Sequence, residues 1–245
     1  MNIKHATSPW TQHTDKKSTK ILGFSHTGYE KLEVPGSKSF SNRALIIAVS
    51  AKGESHLTGL LKSDDTYWCI DVLKKIGVSV EHTKNSVKIT KTTDHFSSSS
   101  GLFIGAAGTI ARFLPGVLAA NTRGRFILES DHTLSKRPIT PLLSALKKMG
   151  AKIKNLEHAD SLPIEINSCG LNGLTIELPG NVSSQYLSGL LICSPMAKNE
   201  VTIRLTTSIV QPMYVAMTIQ SMKSFGVNVE CNDSFTEFKV KPQPY

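Results

Sequence analysis

Apolar positions along this chain fall into two helical patterns that alternate. Ala44–Val49 (ALIIAV), Phe113–Ala120 (FLPGVLAA) and Tyr186–Leu191 (YLSGLL) are apolar on every side, and their helices end near Ala51, Ala120 and Ala197. A polar turn and a short strand pattern follow each: Ser55–Gly59 (SHLTG), Arg125–Glu129 (RFILE) and Val201–Leu205 (VTIRL). Next come three nine-residue strings: Leu73–Glu81 (LKKIGVSVE), Leu146–Lys154 (LKKMGAKIK) and Met222–Glu230 (MKSFGVNVE). Each reads as the last turn of an amphipathic helix, with lysine at the negative end of the dipole and glycine at the cap, running into an alternating strand. The glycines Gly77, Gly150 and Gly226 are 73 and 76 residues apart.

The repeating unit is therefore strand, apolar helix, strand, amphipathic helix, strand and one more strand, such as Ser86–Thr90 (SVKIT) or Leu174–Leu178 (LTIEL). A unit of this kind, βαβαββ, recurs with a period of roughly 70 to 75 residues. The three repeats span about 29–100, 101–172 and 173–241. An amphipathic helix covers a sheet, whereas a helix apolar all round has to be buried on all sides. The expected fold is α+β: three buried, parallel first helices packed together and walled by sheets and outer helices. Residues 1–20 read as an N-terminal tail or a strand lent elsewhere, 21–245 as one lobe, and the Ser97–Ser100 run as a loop.

With 245 residues, 40% of them hydrophobic, the chain can build a proper core. The formal charge of +9 points to acidic partners, whether nucleic acid, an anionic surface or small phosphorylated and carboxylated molecules. No apolar run reaches membrane-spanning or signal-peptide length, so a soluble cytoplasmic protein that does not engage a membrane is expected. The cysteines Cys69, Cys169, Cys193 and Cys231 lack CxxC spacing and nearby histidines, and read as reduced thiols rather than a zinc site or disulfide framework.

The chemistry stands at the mouths of the apolar helices. Val34–Arg43 (VPGSKSFSNR), Gly105–Arg112 (GAAGTIAR) and Pro179–Gln185 (PGNVSSQ) occupy equivalent places in the three repeats. A helix start leaves about four amides unpaired and carries roughly half a positive charge. Glycine and serine let an oxyanion approach those amides, and lysine and arginine add charge-assisted bonds. Taken singly, each mouth also fits an ordinary N-cap worth about 1 kcal/mol. Three in register are harder to explain that way, because Arg43 and Arg112 oppose the helix dipole and need something negative beside them. The second helices begin at Ser63–Asp65, Lys136–Pro138 and Gln211–Tyr214; Asp64 or Asp65 reads as a cap, and Arg137 is another cation at a helix start. Tyr214 fits a core aromatic as well as a platform for a ring-shaped ligand.

The strings PGSKSxSNRAL, GxAGTxxR, Leu134–Pro138 (LSKRP) and VSSQxL, in that order, resemble those of 3-phosphoshikimate 1-carboxyvinyltransferase, also called 5-enolpyruvylshikimate-3-phosphate (EPSP) synthase. The resemblance runs from about Tyr29 to about Val240, and it implies the first of two similar lobes, each of three βαβαββ units, that close over the substrates. The family moves the enolpyruvyl group of phosphoenolpyruvate to the 5-hydroxyl of shikimate 3-phosphate by addition and elimination, in aromatic amino acid biosynthesis, with no metal or organic cofactor. The resemblance implies that Lys38, the catalytic lysine, touches both substrates, and that Ser39 and Arg43 touch shikimate 3-phosphate. It gives Gly108, Arg112 and Arg137 to phosphoenolpyruvate, and Ser183 and Ser184 to the phosphate of shikimate 3-phosphate. Gln185 reaches both, and Tyr214 lies against the shikimate ring.

Two positions depart from the family pattern. Ala106 stands where asparagine is common, and Gln211 where a serine usually helps hold the shikimate phosphate. The family's proton-transferring carboxylates belong to the second lobe, so the chain alone is expected to bind substrates with little or no turnover, the missing lobe being its partner. Other readings remain: a non-catalytic anion-binding module or degenerate paralogue, and the sister family that acts on a UDP-amino sugar. A nucleic-acid binder has the charge but no RNP string, zinc spacing or aromatic-interleaved basic run behind it.

Overall fold

The structure is a computed structural model and describes residues 6–11, 18, 20, 31, 33–83 and 86–245. The first repeat comprises α1 (Lys38–Ala48), β1 (Gly53–Thr58), α2 (Asp64–Lys75), β2 (Ser79–His82) and β3 (Ser86–Lys91). The second comprises β4 (Ser99–Phe103), α3 (Gly108–Ala120), β5 (Arg125–Glu129), α4 (Thr140–Lys148), β6 (Lys152–Asn155) and β7 (Ile164–Asn167). The third comprises β8 (Thr175–Leu178), α5 (Ser184–Cys193) with a short 3-10 turn (Ser194–Met196), β9 (Val201–Leu205), α6 (Pro212–Ser224), β10 (Glu230–Cys231) and β11 (Glu237–Val240). The second and third repeats are complete βαβαββ units. The strand expected to open the first, from about residue 29, falls in part on residues 29, 30 and 32, which lie outside the described residues.

Each repeat builds its own sheet, in the orders β4-β5-β7-β6 and β8-β9-β11-β10, and β1-β3-β2 for the first. In the two complete units the first pair, β4 with β5 and β8 with β9, is parallel across an inner helix, and the remaining pairs are antiparallel. The strands alternate as their sequences require: in β5, Phe126 and Leu128 are buried while Arg125 is exposed. The three nine-residue strings form one motif three times. Gly77, Gly150 and Gly226 take positive φ of 90°, 95° and 87°. The amides of the glycine and its successor reach back to the helix at 3.0 Å in every copy, Gly77 to Lys74 and Val78 to Leu73 being the first. Together they satisfy carbonyls that a helix end would leave open.

α1, α3 and α5 are the buried layer, with every residue from Ile110 to Ala119 and from Tyr186 to Cys193 out of solvent. α3 and α5 approach so closely that a Cβ on Gly189 would stand 2.1 Å from the Arg112 carbonyl oxygen, and one on Gly116 2.7 Å from Cys193 Sγ. Four residues further along one helix meets four residues further along the other, so the two are parallel. A cavity of about 260 Å³ at the far end is lined by Ser50, Val117, Ala120, Asn121 and Met196, which brings the C-terminal ends of all three inner helices together. Their N-termini consequently share the opposite end.

Four local expectations are corrected. Leu174–Leu178 does not close the second repeat: β8 opens the third, and Ile164–Asn167 supplies the missing strand. Ser99 and Ser100 belong to β4 rather than to a loop. The α2 cap is Ser63, which forms a capping box with Thr66, so Asp64 and Asp65 lie in the first turn. α4 begins at Thr140 with Pro141 in its first turn, which leaves Arg137 in the turn ahead of the helix. Ahead of α1, residues 6–11 pack onto α2: Ser8 donates its amide (3.0 Å) and hydroxyl (2.6 Å) to Asp64, and Trp68 Nε1 donates to the Ala6 carbonyl at 2.7 Å. No helix among the described residues is long and apolar enough to cross a membrane.

Candidate anion-binding site

At the α1 mouth the Ser37 hydroxyl accepts from the Phe40 amide at 3.4 Å and caps the helix. Lys38 follows, exposed, its ammonium 3.4 Å from Asp65 of α2. Ser39 is half-buried, and its carbonyl accepts from Arg43 Nη1 at 3.0 Å. Arg43 is only 2% exposed. Its Nε donates to Thr218 Oγ1 at 2.7 Å and its Nη2 to the Tyr214 carbonyl at 3.1 Å. The guanidinium lies 5.0 Å from the centroid of the Phe113 ring and 5.9 Å from that of Tyr214, within cation–π reach. Burial pushes its pKa down to about 10. Thr218 continues the network to Ser188 of α5 at 2.9 Å.

The α3 mouth is different. Ala107 has no side chain that can cap, so the first amides of α3 have no side-chain acceptor. The Gly108 carbonyl accepts from Arg112 Nη1 at 3.2 Å. A Cβ added at Gly108 would sit 3.5 Å from that nitrogen and 3.9 Å from Arg137 Nη1, which shows how closely two guanidinium groups flank this backbone. Arg112 is buried, and its Nη2 donates to the Pro138 carbonyl at 3.3 Å. Burial lowers its pKa, the charge of Arg137 pushes the same way, and the Tyr186 hydroxyl partly restores it. Among the described residues, no carboxylate lies within ion-pair distance of Arg43, Arg112 or Arg137; the ion pairs there are elsewhere. In place of a negative partner, backbone carbonyls accept from both Arg43 and Arg112, and the Phe113 and Tyr214 rings flank Arg43, which stabilises the cations without neutralising them.

At the α5 mouth the Ser183 hydroxyl accepts from the Gln185 amide at 3.2 Å, Ser184 is buried and Gln185 half-buried. Gln211 stands at the α6 N-cap in left-handed backbone (φ 54°), its side chain exposed and not capping. Tyr214 is 40% exposed, so it is not a core aromatic. The structure thus gathers the sequence candidates into neighbouring groups. Lys38, Ser39, Arg43 and Tyr214, with Gln211 beside them, surround α1 and α6, while Gly108, Arg112 and Arg137 surround α3. Ser183, Ser184 and Gln185 open α5. That helix is tied to the first through Ser188 and to the second through Tyr186, whose hydroxyl donates to Pro138 at 2.6 Å. Tyr186, Ser188, Thr218 and Phe113 went unread in the sequence; the only local signal was a tyrosine and a serine inside an otherwise apolar helix.

Comparison with known proteins agrees with this geometry. The family model for EPSP synthase (3-phosphoshikimate 1-carboxyvinyltransferase) matches residues 29–245. The chain is 45% identical over 242 residues to 3-phosphoshikimate 1-carboxyvinyltransferase 2 of Halalkalibacterium halodurans, covering 99% of itself and 54% of that protein. It is 38% identical over 214 residues to the 3-phosphoshikimate 1-carboxyvinyltransferase of Vibrio vulnificus, covering 86% of itself and 50% of the relative. A solved EPSP synthase from Acinetobacter baumannii superposes with a TM-score of 0.76 at 28% identity, over 87% of this chain and 47% of that one. The chain spans about half the length of the curated relatives it matches. Motif order, repeat architecture and superposition all lead to one family: this chain belongs to the EPSP synthases.

Proposed function

We propose that the chain is the substrate-binding lobe of an enzyme that transfers the enolpyruvyl group of phosphoenolpyruvate to the 5-hydroxyl of shikimate 3-phosphate. The observation that carries this reading is Arg43, a 2% exposed guanidinium with no carboxylate partner among the described residues. A buried charge left without a counter-charge is costly, and a bound anion supplies what the fold withholds. Ser39 and Arg43 take shikimate 3-phosphate, Ser183 and Ser184, with Gln211, hold its phosphate, Gln185 reaches both substrates, and Tyr214 lies against the shikimate ring. Arg112, Arg137 and the uncapped amides beginning at Gly108 take phosphoenolpyruvate. Lys38 faces both, and the fixed cations offset the mutual repulsion of two adjacent anions where water is scarce.

The partner is a second lobe. Of the seven large apolar side chains exposed among the described residues, Val34, Phe40, Val182, Val210, Met213 and Tyr214 belong to the segments that open α1, α5 and α6, and Leu156 does not. An apolar rim around a cationic centre suits a face that another surface covers. The test is calorimetry with shikimate 3-phosphate on the chain, its Lys38→Ala variant and its Arg43→Ala variant, followed by turnover with a separately expressed second lobe. Saturable binding lost on either substitution, with activity only when the lobes are mixed, is the expected result. Binding that survives Lys38→Ala, a surface change that leaves the core intact, would overturn the assignment.

A further inference from the structure

The proposed site has a component that none of the motifs specifies. Tyr186 follows Gln185 directly, is 3% exposed, and its hydroxyl donates to the Pro138 carbonyl at 2.6 Å. The same carbonyl accepts from Arg112 Nη2 at 3.3 Å. Pro138 immediately follows Arg137, whose guanidinium flanks Gly108 together with that of Arg112. One acceptor is therefore shared by the first turn of α5 and by the buried arginine of α3, and it lies on the turn that carries the third cation. Two guanidinium groups with no carboxylate between them repel each other, so their relative placement depends on what anchors each. The start of the turn is held by Asp131, which accepts from the Leu134 amide at 2.8 Å and the Ser135 amide at 3.0 Å; around Arg137 the Arg137 amide donates to the Leu134 carbonyl at 2.9 Å and the Ile139 amide to the Asp160 carbonyl at 2.8 Å, and between those two the Pro138 carbonyl ties the turn to both α3 and α5.

We infer that Tyr186 is a positioning residue: through the Pro138 carbonyl it holds Arg112 and Arg137 in register with the helix whose mouth carries Ser183, Ser184 and Gln185, and so couples the two anion subsites. The inference rests on the function proposed above, with Ser183–Gln185 serving shikimate 3-phosphate and Arg112 with Arg137 serving phosphoenolpyruvate. An anion that settles at the α5 mouth orders that first turn; Tyr186 passes the order to the arginine turn, and the second anion meets a site already set. Linkage makes the effect reciprocal.

The test compares the wild-type chain with Tyr186→Phe, which removes one hydroxyl and keeps the ring in its packing. Calorimetry gives the affinity for shikimate 3-phosphate alone and for phosphoenolpyruvate with and without saturating shikimate 3-phosphate. The Nε–Hε resonances of Arg112 and Arg137 report the second subsite directly. Losing one buried hydrogen bond predicts that phosphoenolpyruvate binds about tenfold more weakly in the presence of shikimate 3-phosphate. Affinity for shikimate 3-phosphate alone should stay within about twofold, and the unliganded melting temperature within about 2 °C. Phosphoenolpyruvate affinity unchanged in the variant would overturn the inference and leave the proposed function standing. So would a wild-type chain that binds shikimate 3-phosphate but shows no phosphoenolpyruvate response at Arg112. A wild-type chain that binds neither ligand removes the functional reading itself. A variant that loses both affinities and melts far lower would mark Tyr186 as a structural residue only.

Discussion

Replacing Arg43 with methionine separates a binding arginine from a merely structural one. A guanidinium pKa pushed by burial from its ordinary value down to about 10 means that the folded state spends about 3 kcal/mol holding that charge. Against this stand three donated bonds, to Thr218 Oγ1, the Ser39 carbonyl and the Tyr214 carbonyl, each worth about 1 kcal/mol net. Methionine fills much the same channel and orphans no acceptor, since Thr218 keeps contacts of 2.9 Å to both Ser188 Oγ and the Tyr214 carbonyl. The two terms nearly cancel, so the unliganded variant should unfold within about 1 kcal/mol of wild type, or about 2–4 °C for a chain of this size. With ligand the outcome diverges. Shikimate 3-phosphate at about a hundred times its dissociation constant stabilises the wild type by about 2.7 kcal/mol, a rise of about 5–11 °C, and should leave Arg43→Met unmoved. The sign with pH follows as well: a base whose folded pKa is lowered carries its full penalty at every pH below about 10 and sheds it only as pH climbs from there toward the ordinary guanidinium value. The stability difference between the two proteins should therefore be flat from about pH 5 to 9. The measurement is scanning fluorimetry and urea unfolding with and without ligand. A variant that loses more than about 3 kcal/mol without ligand, or keeps the ligand-induced rise, would refute the reasoning.

Three further outcomes follow from the packing. Gly189→Ala should destabilise by about 3 kcal/mol or more in urea unfolding, because its Cβ would meet the Arg112 carbonyl oxygen at 2.1 Å and force α3 from α5. Gly226→Ala, where nothing lies within 4 Å and only the φ of +87° resists, should cost about 1 kcal/mol, and the opposite ranking would contradict the parallel helix contact. Asn42 is fully buried, with neither amide atom hydrogen-bonded among the described residues, so Asn42→Leu should raise stability by about 1–3 kcal/mol, and a loss of that size would contradict an unsatisfied amide there. Thiol titration at neutral pH should find Cys169 and Cys231 accessible, while Cys69 and Cys193 react only on unfolding. Both of the latter are fully buried, and burial pushes the Cys193 pKa up to about 12 and that of Cys69 further; a third fast thiol in the native chain would count against the core described.

What was legible in the sequence tracks how far apart the interacting residues lie along the chain. The three glycine caps join residues five apart or fewer, from Leu73 to Val78 and its counterparts, so a nine-residue window contains the whole motif and shows it three times. Strands were read by alternation, which reveals existence but not ownership. LTIEL alternates equally well as the end of one repeat or the start of the next, and only its parallel pairing with Val201–Leu205 decides. Lys136–Arg137–Pro138 looked like a helix start because proline favours that position, yet Pro141 takes the role three residues later and leaves Arg137 free to face Gly108. The cations at the helix mouths were visible because each opposes its own helix dipole, a conflict within a single turn. The answer to that conflict was invisible. Arg43 reaches Thr218 across 175 residues and Tyr186 reaches Pro138 across 48, and nothing in Thr218 or Tyr186 announces a partner. A local clash can therefore mark where a site is, while the contacts that set its geometry come from tertiary packing. For that reason Tyr186, the unspecified position of VSSQxL, is the sharper probe of how the proposed site works.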